Sequence, residues 1–163
     1  MGRDSILVVS GGTGMKRSGF TTIEMVIVVV LIGLIAAIGF PKIRQSLDKA
    51  NVRSARAAVG TLAATARSAA IQRGCPGVIH FVATNATVWV TTSCPTKVDT
   101  ISGVQQLSTR FKVTIVATRD SVRYDPRGLS LDNLNANTVI RFTGSVGSNV
   151  DSTVINPLGK VIH

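Results

Sequence analysis

The sequence predicts an α+β fold: a long N-terminal helix followed by a domain of antiparallel β-sheet. Three observations carry this expectation. Residues Phe20–Phe40 form one apolar block of 21 residues interrupted by a single charge, Glu24. Residues 41–74 stay rich in Ala, Arg, Gln and Leu, all good helix formers. From residue 75 to 163, β-branched runs separated by turn residues replace the helical pattern. A long helix followed by strands favours a helix laid across an antiparallel sheet.

The apolar block is long enough to cross a bilayer. At 1.5 Å per residue, its helix covers about 30 Å, the thickness of a hydrocarbon core. Two other readings stay open. A buried core helix is usually shorter and two-faced. A secretory signal cut after Ala37-Ile38-Gly39 would suit the basic Lys16-Arg17 in front, but fits poorly with Glu24 inside the run and Pro41 just after the cut. Glu24 itself poses a problem, because a charge at the centre of a membrane helix costs about 2.5–3.5 kcal/mol even on insertion scales. No Lys, Arg or His lies within the block to offset it.

Residues 42–73 should continue the helix, with Gly74 as a stop and Pro76 preventing resumption. At 100° per residue, Ile43, Leu47, Ala55, Ala58, Leu62, Ala66 and Ala69 fall on one broad stripe, expected to pack on the sheet. Lys42, Lys49, Arg53, Arg56 and Arg67 form a basic ridge opposite, either a solvated face or one turned to headgroups or acidic neighbours.

The β region opens with Val78–Thr84 and Thr87–Thr92, broken at Asn85-Ala86, which reads as a hairpin. Phe111, Val113, Ile115 and Ala117 alternate with Lys112, Thr114 and Val116, giving a one-sided strand. Ser121–Tyr124, Thr138–Phe142 and two short runs around Asn156-Pro157-Leu158-Gly159 complete the series.

The 163 residues suffice for one domain plus an appendage, and the formal charge of +10 favours anionic partners: nucleic acid, lipid headgroups or an acidic protein. Catalysis has little to stand on. The acids after Glu24 are Asp48, Asp99, Asp120, Asp125, Asp132 and Asp151, and the last three read as turn formers. There is no nucleophile elbow, and no cluster with metal-ligand spacing. The short run Ser5–Val9 followed by Ser10-Gly11-Gly12-Thr13-Gly14 hints at a dinucleotide-binding strand and loop. The context rejects it, since an apolar span follows rather than an amphipathic helix of a βαβ unit. The sequence is therefore read as a non-enzyme with no cofactor and no metal.

The junction Lys16-Arg17-Ser18-Gly19 followed by Phe20-Thr21-Thr22-Ile23-Glu24 resembles the class III leader of type IV pilins and of the pseudopilins of type II secretion. The resemblance implies a leader of residues 1–19, cleaved between Gly19 and Phe20 by a prepilin peptidase, with N-methylation of Phe20. Met15 would make a complete short leader, so residues 1–14 are read as an over-extended start. Glu24 becomes the fifth mature residue, and Pro41 stands where these families often bend the helix. The freed amine of Phe20 is cationic near neutral pH. Glu24 can meet that amine on a neighbouring subunit, a pairing that is strongly attractive in a low-dielectric core. Its competitor is a Glu that snorkels to the headgroups or is protonated.

The resemblance further implies a single-pass protein of the inner membrane, with residues 20–40 spanning and the globular part on the periplasmic or extracytoplasmic side. The positive-inside count does not itself give that orientation, because Lys42, Arg44, Lys49, Arg53 and Arg56 closely follow the span. Tyr124-Asp125-Pro126-Arg127-Gly128 and the closing Gly159-Lys160 are similar to motifs of the minor pseudopilin H of type II secretion and of FimT-type minor pilins. Partners so implied are other pilins or pseudopilins in a filament, the peptidase, membrane lipid and, in the FimT-type reading, DNA. Some relatives of that type grip DNA with a Gly-Arg-x-Arg tail. Here Gly159-Lys160-Val161-Ile162 lacks the second basic residue and His163 comes one place late, so Arg127 and Lys160 are the candidate contacts.

In an oxidising compartment, Cys75 and Cys94 suit a disulfide that ties the helix end to the first hairpin. A loop of that size contributes about 3 kcal/mol. Two free buried thiols are the alternative. A zinc site would need ligands that the distant His80 and His163 do not supply at a recognised spacing.

Overall fold

The computed structural model describes residues 19–132, 136–147 and 149–162. The chain divides into two compact units, residues 1–38 and 39–163.

Helix α1 (Thr22–Arg73) starts in the first unit and ends in the second. In the first unit its apolar side chains face outward: Ile23, Val29 and Ile35 are 71%, 68% and 72% exposed. It is long and apolar enough to span a membrane. In the second unit the helix becomes a core element. Val52, Ala55, Val59, Leu62, Ala63, Ala66 and Ala70 join the hydrophobic cluster. Gly74, with φ of 62°, supplies the left-handed residue that ends the helix, as the sequence predicts.

The β-domain contains two four-stranded antiparallel sheets. The first has the order β3-β2-β1-β5, built from β1 (Gly77–Val82), β2 (Thr87–Ser93), β3 (Val98–Gln106) and β5 (Ser121–Tyr124). The second has the order β4-β6-β7-β8, from β4 (Val113–Ala117), β6 (Thr138–Gly144), β7 (Val150–Ile155) and β8 (Val161–Ile162). The expected hairpin is present, pairing Ile79 with Val90 and Phe81 with Val88. Ile79, Phe81, Val88, Val90, Val113, Ile115, Val122, Ile140, Phe142 and Ile155 are drawn from both sheets into one cluster with the α1 residues.

Three expectations are corrected, and one strand is unforeseen. The buried face of α1 is rotated by roughly 60° from the predicted stripe. Val52, Val59, Ala63 and Ala70 are buried, while Ile43 and Leu47 are more than half exposed. That rotation carries Asp48 onto the buried face and brings the Arg56 and Arg67 edge of the basic ridge into partial burial. Phe111 belongs to a short helix α2 (Leu107–Phe111), so the strand alternation begins only at Val113. Strand β3 has no clear sequence signature, because it is a bulged sheet edge wetted on both faces. Asp151 lies in β7 rather than in a turn.

Candidate functional site

At the start of α1, Gly19 and Phe20 precede the helix and are exposed. Thr21 caps it: its Oγ1 accepts the Glu24 N–H at 3.3 Å, and its carbonyl accepts the Met25 N–H at 3.2 Å. Thr21 and Glu24 thus hold the spacing of a capping box, a signal in the sequence that the leader resemblance overshadows. A carboxylate in the first turn also favours the positive end of the helix, by about 0.3–1 kcal/mol. Glu24 is exposed and forms no ion pair among the described residues. Residues 1–18, including Met15 and the Lys16-Arg17 pair, lie outside the described residues, as does His163. Pro41 is an exposed interior residue of α1, just beyond the boundary between the two units.

Cys75 and Cys94 are joined in a disulfide with Cα atoms 5.0 Å apart. The bond ties the end of α1 to the end of β2. Arg73 strengthens the same attachment, donating to Asp99 at 3.0 Å and to Thr92 at 3.4 Å. Lys97 and Arg73 together hold the Asp99 carboxyl below its ordinary range.

The two glycine-bearing turns singled out in the sequence meet. Asp125 Oδ1 accepts the N–H groups of Arg127 and Leu129 at 3.0 and 2.8 Å, so Asp125 is a turn former. Asn156 Oδ1 does the same for the Lys160 N–H at 2.8 Å. Gly128 and Gly159 have φ of 81° and 75°, and a Cβ on Gly159 would stand 2.9 Å from the Gly128 carbonyl oxygen. Tyr124 is fully buried beneath this corner, and burial pushes its hydroxyl up to about 12. Arg127 and Lys160 project outward from their turns. Lys160 shares a groove of about 500 Å³ with Arg67 and the small α1 residues Ala57, Gly60 and Ala64.

Two acids anchor the opposite part of the domain, and the sequence reading assigned neither of them this role. Asp48 is 2% exposed. Its carboxylate accepts from Asn149 Nδ2 at 2.9 Å, Ser145 Oγ at 3.1 Å and Val146 N at 3.3 Å, which pins the β6–β7 turn to α1. Those donors, Asn149 foremost, hold its carboxyl below the usual range against the opposing effect of burial. Gly144 leaves room for it, since a Cβ there would fall on the carboxylate. Asp151 pairs with Arg56 at 2.9 Å and so removes Arg56 from the solvated ridge.

A cavity of about 570 Å³ on the first sheet is lined by His80, Arg119, Asp120, Ser121, Arg123 and Asp132. Its imidazole and one of its two carboxylates are each engaged in a structural contact. His80 stacks on Trp89 with ring centroids 4.9 Å apart, and its Nε2 meets Thr91 Oγ1 at 2.9 Å. Burial pushes the imidazole below its ordinary value. Asp132 clamps Arg123 through contacts at 2.8 and 3.0 Å, rather than acting as a simple turn former. Among the described residues, no group of three His, Cys, Asp or Glu could hold a metal.

No family model matches the chain. Among solved structures it is similar to the type IV minor pilin FimU of Pseudomonas aeruginosa, at 10% identity and a TM-score of 0.54, covering 68% of this chain and 86% of that one. It is also similar to the minor pseudopilin EpsH from the Type 2 Secretion System of Vibrio cholerae, at 6% identity and a TM-score of 0.56, covering 69% and 94%. At these identities the likeness establishes the fold, an N-terminal helix joined to the β-domain of minor pilins and pseudopilins.

Proposed function

We propose that the chain is a minor pseudopilin, a structural subunit of a type II secretion pseudopilus, assembled after cleavage between Gly19 and Phe20. Residues 20–40 anchor it in the inner membrane, and the domain from residue 41 onward lies on the extracytoplasmic side. The observation that carries this reading is the change of character along α1. Its first half exposes an apolar surface whose one charge is Glu24, while its second half supplies one wall of the core. A helix of that kind serves two solvents in succession: lipid, or the apolar centre of a filament, and then a folded domain. The fold shared with a minor pilin and a minor pseudopilin supports the same reading. The disulfide is consistent with an oxidising compartment.

In this account Glu24 pairs in trans with the freed amine of a neighbouring Phe20, and the peptidase recognises the junction in front of it. Deleting the gene tests the assignment: protein secretion should fail while pilus-dependent functions persist.

A second reading has one specific observation in its favour. The contact between Gly128 and Gly159 brings the turns bearing Arg127 and Lys160 together, with Arg67 in the adjoining groove. A minor pilin that binds DNA in uptake would use such a cluster for phosphate contacts. Loss of DNA uptake with secretion intact in the same deletion strain would favour it.

A further inference from the structure

We infer that the cleft beside the β6–β7 turn binds the phosphate of an anionic phospholipid headgroup. The inference rests on the membrane-anchor reading and goes beyond it by assigning a lipid site to the globular domain. The cleft, of about 270 Å³, is lined by Arg44, Leu47, Asn51, Lys112 and Val146 together with Asp48 and Ser145.

Its chemistry is that of a membrane interface. Arg44 and Lys112 reach it from different elements, and neither forms an ion pair among the described residues. Leu47 and Val146 are 59% and 55% exposed beside them. Exposed apolar side chains flanked by cations are the arrangement that enters the headgroup and acyl boundary.

Position points to the same partner. Arg44 follows the last residue of the apolar run, Phe40, by about 6 Å of helix at 1.5 Å per residue. A cation there stands at headgroup depth when residues 20–40 span. The Asp48 turn matters because it holds Val146 at the same level of α1. Asp48 is the one acid lining the cleft, and it opposes an incoming phosphate. Its oxygens are already engaged by Asn149, Ser145 and Val146, and two cations outweigh it.

Lys112 adds a structural oddity. It adopts φ of 53° in the left-handed region, where a Lys is strained and a Gly is not. The conformation closes α2, whose C-cap is Lys112, and leaves the side chain exposed. The site also gives a use to Arg44, one of the cations that follow the span against the positive-inside tendency.

The test uses the full-length chain in bilayer nanodiscs of phosphatidylcholine with and without phosphatidylglycerol. Retained lipid is counted by native mass spectrometry. The expected result is preferential retention of phosphatidylglycerol, falling roughly fivefold for each cation removed in Arg44→Gln and in Lys112→Gly. Lys112→Gly keeps the backbone conformation and relieves strain, so its loss of lipid cannot be laid to misfolding. Lys97→Gln, in the turn between β2 and β3 and outside the cleft, should change nothing. Insertion without a preference for phosphatidylglycerol overturns the site and leaves the anchor intact. So does a preference that survives when Arg44→Gln and Lys112→Gly are combined. Failure to enter the bilayer at all contradicts the anchor reading, and the site with it.

Discussion

Gly159 lies against both Gly128 and Tyr124: a Cβ at position 159 would stand 2.9 Å from the Gly128 carbonyl oxygen and 2.9 Å from Tyr124 Cε1. The turn before the last strand is therefore locked onto the turn after β5. Neither contact tolerates a side chain, and φ of 75° disfavours one as well. Gly159→Ala should destabilise the domain by at least about 2 kcal/mol, from backbone strain and overpacking together. Thermal unfolding of the full-length protein in detergent measures this, and an unchanged midpoint would mean the two turns do not depend on each other.

Asp48 makes stability depend on pH. Its carboxyl is held below the ordinary value of 3.8 in the folded state, so its contribution is complete above that value. The contribution disappears as pH falls through the lowered folded value, because the unfolded chain then binds the proton first. Asp48→Ala should cost about 1.5–3 kcal/mol at neutral pH, by leaving charge-assisted donors of the β6–β7 turn without their acceptor. Asp48→Asn should flatten the acid limb of the stability profile relative to the unaltered protein. Parallel acid limbs in the two proteins would contradict this role.

The place of Glu24 in the first turn of α1, at the positive end of the helix, gives its carboxylate a competing explanation within its own chain. The two roles separate by mutation. Glu24→Ala should insert and be processed but enter filaments poorly. Thr21→Ala loses the cap, worth about 1 kcal/mol, and should assemble nearly as the unaltered protein does. Equal defects in the two variants would reduce Glu24 to a helix cap.

How legible this molecule is from sequence varies along the chain. The long apolar helix, the helix stop at Gly74, the first hairpin and the Cys75–Cys94 bond each rest on a strong local signal: length, a left-handed Gly, β-branched runs, and two cysteines alone. The face of α1 was harder to read, because Ala carries little weight in a periodicity. Val52 and Val59 decide the face, with Asp48 in line with them. A buried Asp is invisible to any hydrophobic pattern, and only the partners Ser145, Val146 and Asn149, remote in sequence, account for it. Strand β3 is illegible for the opposite reason: an edge with both faces wet needs no alternation. Tyr124-Asp125-Pro126-Arg127-Gly128 and Gly159-Lys160 were recognisable as turns. Their mutual contact was not, since nothing local encodes it.

The DNA-binding reading makes its own prediction. Affinity of the mature chain for duplex should fall with salt, by a slope of about −0.9 per phosphate neutralised, and show little sequence preference. Lys160→Ala and Arg127→Ala should each reduce that slope by about one unit. The comparison is with Lys49→Ala and Arg53→Ala on the exposed part of the helix ridge, because Arg56 is committed to Asp151. Equal small losses from both pairs would mean nonspecific attraction and leave the structural-subunit reading.

The central claim, a filament subunit released from a leader, is tested most directly by the intact mass of the protein extracted from its own membranes. The account predicts a chain beginning at Phe20 and carrying one added methyl group, in cells whose prepilin peptidase is active. A mass that retains the Gly19–Phe20 bond in those cells would contradict it.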